Sequence, residues 1–109
     1  MKFDQISELL YAEAARISKA TQGTTWYMFG SFLHSPCTAS DIDILVNCES
    51  HETAILVRQE MATLCITTPI HLLLLTSEEE SEIGFIRAEC CRQFYPAVQR
   101  LDPLPRREP

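Results

Sequence analysis

The sequence is poor in glycine, lacks positive charge through its middle and has no long apolar run. Only Gly23, Gly30 and Gly84 occur in 109 residues, and no lysine or arginine falls between Lys19 and Arg58. With a formal net charge of −6, the chain offers no broad basic surface to a phosphate backbone, so nucleic-acid binding is not expected. The leucine run from Leu72 to Leu75 is far short of the roughly 20 apolar residues that cross a bilayer. The opening Met1-Lys2-Phe3-Asp4 lacks the continuous apolar segment of a secretion signal. No membrane role is expected, and the expected location is the cytoplasm. The five cysteines show no C-x-x-C spacing. Their odd number fits a reducing compartment and argues against a zinc site, so most are expected to be small core residues. An apolar fraction of 46% against 22% charged residues excludes a disordered chain and fits one small domain.

Helix and strand patterns fill most of the length. Ile6, Leu9, Leu10, Ala14 and Ile17 recur on one helical face, predicting a helix from Asp4 to Lys19 with Asp4 as its N-cap. Thr24 to Phe29, TTWYMF, is β-branched and aromatic and reads as a strand. Phe32 to His34 has room for little more than one helical turn before Ser35-Pro36 interrupts it. Asp41 to Val46 reads as a second strand. Ser50 then caps a helix from about His51 to Leu64, with Ala54, Val57, Met61 and Leu64 on one face. Ile70 to Thr76 reads as a buried third strand, although a leucine run also suits a helix. Ser77-Glu78-Glu79-Glu80 has the S-x-x-E form of a capping box and opens a helix turning Ile83, Ile86, Cys90 and Phe94 inward. The last fourteen residues hold four of the six prolines, predicting an irregular tail at 96–109 behind a domain of residues 1–95. The expected fold class is α/β (α+β), with a small mixed sheet of about three strands covered by helices.

The chemistry concentrates in Gly30 to Val46, GSFLHSPCTASDIDILV. Strand alternation puts Asp41, Asp43 and Leu45 on one face and Ile42, Ile44 and Val46 on the other. Two carboxylates this close repel, and aspartate is a poor strand former, so the pattern costs stability unless a cation neutralises it. Mg²⁺ suits the site, because it takes hard oxygen ligands and commonly uses one or two carboxylates with substrate phosphates and water. Directly after a strand, Gly30 lets the backbone approach a ligand closely, and Ser31 adds a hydroxyl. A phosphate-binding turn facing a metal-binding pair would hold a nucleoside triphosphate for attack on its α-phosphate.

Gly-Ser followed by Asp-x-Asp, between two strands, resembles the signature of the polymerase-beta-type nucleotidyltransferase superfamily. The small size is similar to its minimal nucleotidyltransferase branch, single domains often encoded beside a helical partner called HEPN. The match covers Trp26 to Val46 specifically and extends loosely to about Phe94. The resemblance implies a polymerase-beta-like nucleotidyltransferase fold, in which Gly30 and Ser31 bind nucleotide phosphate and Asp41 and Asp43 are catalytic and hold Mg²⁺ or Mn²⁺. It further implies transfer of a nucleoside monophosphate, AMP being the expected one, from a triphosphate such as ATP to a hydroxyl acceptor. That acceptor could lie on a HEPN-type protein partner in a toxin–antitoxin-like pair. The alternative is a catalytically degenerate member that binds and neutralises a partner. An antibiotic-modifying enzyme is a weaker third reading, since no length is left for a helical substrate domain. Oligomerisation stays open.

Three departures from the family pattern stand out. Nine residues separate Ser31 from Asp41, one fewer than is common. The relatives' third carboxylate belongs on the next strand, where PIHLLLLT places His71. His71 is then a half-buried structural histidine, a replacement base or ligand, or a bystander to a glutamate from Glu78 to Glu80. Those glutamates are more simply explained by charge at a helix N-terminus. The relatives' arginine after Gly-Ser is replaced by Phe32-Leu33-His34, leaving Lys19, Arg58 or a partner's arginine as the counter-charge. Phe32 and Leu33 read as core, and His34 and His51 as surface.

Overall fold

A computed structural model describes residues 3–97, so residues 98–109 of the expected tail lie outside the described residues. The chain runs α1 (Phe3–Ala20), β1 (Thr24–Phe29), α2 (Gly30–His34), β2 (Ile42–Cys48), α3 (His51–Thr67), β3 (Ile70–Thr76), α4 (Ser77–Ile83), α5 (Phe85–Ala88) and β4 (Arg92–Tyr95). The four strands form one mixed sheet in the order β3-β2-β1-β4. β1 runs antiparallel to β2 and β4, while β2 and β3 are parallel and joined through α3.

Alternation along the strands divides the sheet into two unlike faces. Trp26, Met28, Ile42, Ile44, Val46, Cys48 and Ile70 join Leu10, Ala14 and Ile17 of α1, Phe32 of α2, and Val57 and Met61 of α3 in the main core. Trp26 is fully buried. Its ring meets Phe94 edge-on at 6.4 Å, and its indole N–H donates to Thr24 Oγ1 at 3.2 Å. The opposite face carries Tyr27, Phe29, Asp43, Leu45, Asn47, His71 and Leu73 by the same alternation. The α4–α5 segment covers part of it, with Phe85 edge-on to Phe29 at 5.0 Å. Leu45 is fully buried there although it lies outside the main core.

Several expectations need correction. Asp4 lies inside the first turn of α1 rather than at its cap, where an acid still favours the positive helix end. α3 runs to Thr67 instead of Leu64. Thr68 is extended (φ −132, ψ 139) because Pro69 disfavours helical geometry in the residue before it. Ser50 does cap α3, accepting the Thr53 N–H. The capping box of α4 sits one residue earlier than read, on Thr76 and Glu79. The predicted single helix from Ser77 breaks at Gly84, whose left-handed φ of 70 closes α4. Arg92–Tyr95 then pairs with β1 as a fourth strand where three were expected. Only Cys48 is buried; Cys65 and Cys91 are half-buried, and Cys37 and Cys90 are exposed, so most cysteines are not core residues.

Candidate functional site

Gly30 follows β1 and opens α2 at φ +78, and a Cβ built on it would collide with Asp43 Oδ2. Both parts of that observation demand glycine. The left-handed backbone is unfavourable for any residue with a Cβ, and the carboxylate fills the space a Cβ would take. The cause is register. Phe29 pairs with Asp43 across β1 and β2, so the turn leaving β1 passes directly over the Asp43 side chain. α2 starts at that turn with Phe29 as an N-cap that supplies no side-chain hydrogen bond. Ser31 is exposed beside Gly30, while Phe32 points into the core and Leu33 packs against it.

On the other side, Asp43 pairs in register with His71 of β3. His71 Nδ1 stands 3.3 Å from Asp43 Oδ1, with side chains 70% and 21% exposed respectively. The half-buried structural histidine is thereby corrected. β3 is an edge strand, and nothing covers its ring deeply enough to make it a packing residue. The pair attracts as an ion pair only while the imidazole is protonated, and exposed pairs contribute about 0–1 kcal/mol.

Asp41 is half-buried and precedes β2 by one residue, so β2 opens at Ile42 rather than at Asp41. Two residues of extended chain would span about 6.5–7 Å, and Asp41 lies outside the strand whose alternation would fix its side. The structure therefore gathers Gly30, Asp43 and His71 and leaves Asp41 and Ser31 at the margin. Among the described residues no group of three or more His, Cys, Asp or Glu is gathered as a metal-binding cluster.

Glu79 and Glu80, two of the three glutamates from Glu78 to Glu80, have other partners. Glu79 accepts the Thr76 N–H at 2.9 Å, a bond that draws its carboxyl below the ordinary range, and Glu80 accepts the Ile86 N–H at 3.3 Å. Neither expected cation lies on the Asp43 face. Arg58 lines a hollow with His51, Ile55, Leu74 and Thr76 against α3, and Lys19 sits on α1, which packs on the main core. Arg87 is the only Lys or Arg in α4 and α5, the segment covering the Asp43 face. Sequence reading missed it because residues 85–88 were read as part of one continuous helix and the break at Gly84 was not foreseen.

Two further features of this face were missed. Asn47 Oδ1, two strand repeats beyond Asp43, is buried without a hydrogen-bond partner. Burial raises the Tyr27 hydroxyl above its ordinary pKa, with Glu80 and Cys91 adding to the shift. The only sequence signal for either was a polar atom on a strand face that proves to be covered. No helix among the described residues is long and apolar enough to cross a membrane. Compared with known proteins, the chain matches no family model, no curated protein and no solved structure.

Proposed function

We propose that this chain is a metal-dependent nucleotidyltransferase that moves a nucleoside monophosphate, AMP from ATP in the first instance, onto a hydroxyl acceptor. The observation that carries the reading is the corner where Gly30, at positive φ, leaves the space of its missing Cβ to the Asp43 carboxylate. A strand end that needs glycine for backbone and side-chain reasons together, against an acid flanked by a second acid, suits a polyphosphate and a divalent ion. Asp41 and Asp43 would hold Mg²⁺ or Mn²⁺, with substrate phosphates and water completing an oxygen shell. When bound, the ion supplies charge neutralisation at the phosphates undergoing displacement.

The chain's own residues have separate tasks. Gly30 and Ser31 hold the phosphates through backbone and hydroxyl groups. Asp43, beside Nδ1 of His71, favours the tautomer that carries its proton on that nitrogen and leaves Nε2 as the acceptor. Nε2 then takes the proton from the attacking hydroxyl. The oxygen–phosphorus bond forms at the α-phosphate as its bond to the bridging oxygen breaks, and pyrophosphate leaves. The acceptor lies on a helical protein partner of the HEPN type, as the family resemblance suggests.

A second reading, a degenerate member that works only by binding its partner, rests on the same position. An imidazole stands at the register of the third carboxylate, beside the acid it would neutralise. Incubating the protein and its genomic neighbour with ATP labelled on the α-phosphate and Mn²⁺ separates the two. Label on the neighbour that Asp43→Asn abolishes supports the enzyme. A tight unlabelled complex supports the module.

A further inference from the structure

The two edges of the sheet are built differently. β4, at one edge, is four residues long, carries Arg92, slips register against β1 between Trp26 and Tyr27, and is followed by Pro96. Charge, shortness, irregular pairing and proline are the usual devices that stop an edge from recruiting another strand. β3, at the other edge, shares only a flanking proline, Pro69. It is seven residues long, keeps an unbroken register with β2 and contains no Asp, Glu, Lys, Arg or Pro. Leu72, Leu73 and Leu74 are only half-buried.

The hydrogen-bond pattern of β3 defines what fits that edge. Ile42 pairs with Ile70 and its N–H donates to Pro69 O at 2.8 Å, so the odd-numbered residues of β3 turn their backbone groups toward β2. The even-numbered residues turn theirs outward. Of these, the Ile70 N–H is taken by Thr68 O and the Thr76 N–H by Glu79. The N–H and C=O of Leu72 and of Leu74 face outward, and among the described residues no strand pairs with them. The hollow of about 230 Å³ formed by His51, Ala54, Ile55, Arg58, Leu74, Thr76 and Glu79 lies between α3 and this strand. α3 also leaves Ile66 85% exposed.

We propose that this edge pairs with the β3 of a second copy of the chain, antiparallel, about a two-fold axis through Leu73. In that register Leu72 faces the second copy's Leu74, and Leu74 faces its Leu72. Each of these pairs exchanges both backbone bonds, so all four outward groups are satisfied. Leu73 meets its own equivalent. Paired residues share a face, so the second copy's Leu72 lies beside Leu74 and the Ile55 hollow. Charge permits a copy as partner. Each chain carries −6, yet the strand that meets itself holds no acid, and a two-fold contact has to be self-complementary. The result is one eight-stranded sheet in which His71 lies opposite the second copy's Leu75. The inference does not depend on the proposed chemistry.

Sedimentation equilibrium at high micromolar concentration tests it. Wild type is expected at twice the chain mass. Leu73→Lys and Leu73→Glu are each expected at one chain mass, and their equimolar mixture at twice that mass, because position 73 faces itself. Circular dichroism checks that both variants fold. Independently, Leu73→Cys in a Cys37→Ser/Cys90→Ser background should give a disulfide dimer on mild oxidation. Facing residues of this kind have Cα atoms about 4.5 Å apart, within the about 4.4–6.8 Å a disulfide spans. A monomeric wild type, single variants that still dimerise, or no cross-link through position 73 would overturn the proposal.

Discussion

Gly30→Ala separates two costs that a second glycine allows to be measured apart. Gly84 is also left-handed (φ +70), but a Cβ built there meets nothing within 4 Å. Gly84→Ala therefore pays only the conformational penalty, about 1–2 kcal/mol. Gly30→Ala carries the same penalty at φ +78 and in addition drives a methyl into Asp43, whose Cγ lies 3.1 Å and Cβ 3.3 Å from that position. Overpacking of this kind costs roughly 1–3 kcal/mol, giving a total of about 2–5 kcal/mol. Each kcal/mol lowers Tm by about 4–8 °C in a domain of this size. The assay is urea and thermal unfolding followed by circular dichroism. Asp43→Ala removes Oδ2 and Cγ, so in that background Gly30→Ala should cost little more than Gly84→Ala does in wild type. The difference is the coupling energy of the corner. If Gly30→Ala costs no more than Gly84→Ala, the close approach of turn and carboxylate is wrong.

Because His71 is mostly exposed, His71→Asp buries no charge. It should lower apo stability only modestly by repulsion with Asp43, and Mg²⁺ should restore the melting temperature; a loss that Mg²⁺ leaves untouched removes the metal from the account. Burial pushes the Cys48 thiol up to about 11, and burial with the nearby Glu80 and Glu89 does the same for Cys91. Both stay protonated at pH 8, so a thiol reagent should label the exposed Cys37 and Cys90 first. The folded chain also holds these two protons more tightly than the unfolded chain, so stability should fall as pH rises from about 9 toward 11. Glu79 shows the opposite sign. Its carboxyl is lowered chiefly by the Thr76 N–H, so its cap on α4 holds through the ordinary carboxylate range and loosens only as pH falls below it. Amide exchange at Thr76 that is indifferent to acid would contradict this.

How far the sequence could be read depended on whether local pattern or strand order decided each feature. TTWYMF and IHLLLLT could be assigned as strands because β-branched, aromatic and aliphatic residues fit a half-buried pleat, and both spans match β1 and β3. Val57 and Met61 are buried on the face their spacing indicated. Arg92-Gln93-Phe94-Tyr95 was missed because nothing local distinguishes it from a helix end; pairing with β1 makes it a strand. Thr76-x-x-Glu79 and Ser77-x-x-Glu80 are equivalent capping boxes on paper, and the end of β3 chooses the first. The carboxylate corner was legible as Gly30 and Asp43, two residues the register brings together. Of the three readings of His71 only the half-buried one is excluded, since a single strand's pattern does not say that it lies at the sheet edge.

The central claim is that the Gly30–Asp43 corner binds a metal–nucleotide complex, and calorimetric titration of Mn²⁺-ATP into the full chain tests it most directly. Wild type should bind saturably with one nucleotide per chain. Asp43→Asn, which keeps the side-chain shape but not its charge, should bind none while melting within about 1 kcal/mol of wild type, as expected for a half-buried acid whose partner His71 is mostly exposed. Equal binding by the two proteins, or no binding by either, would contradict the account.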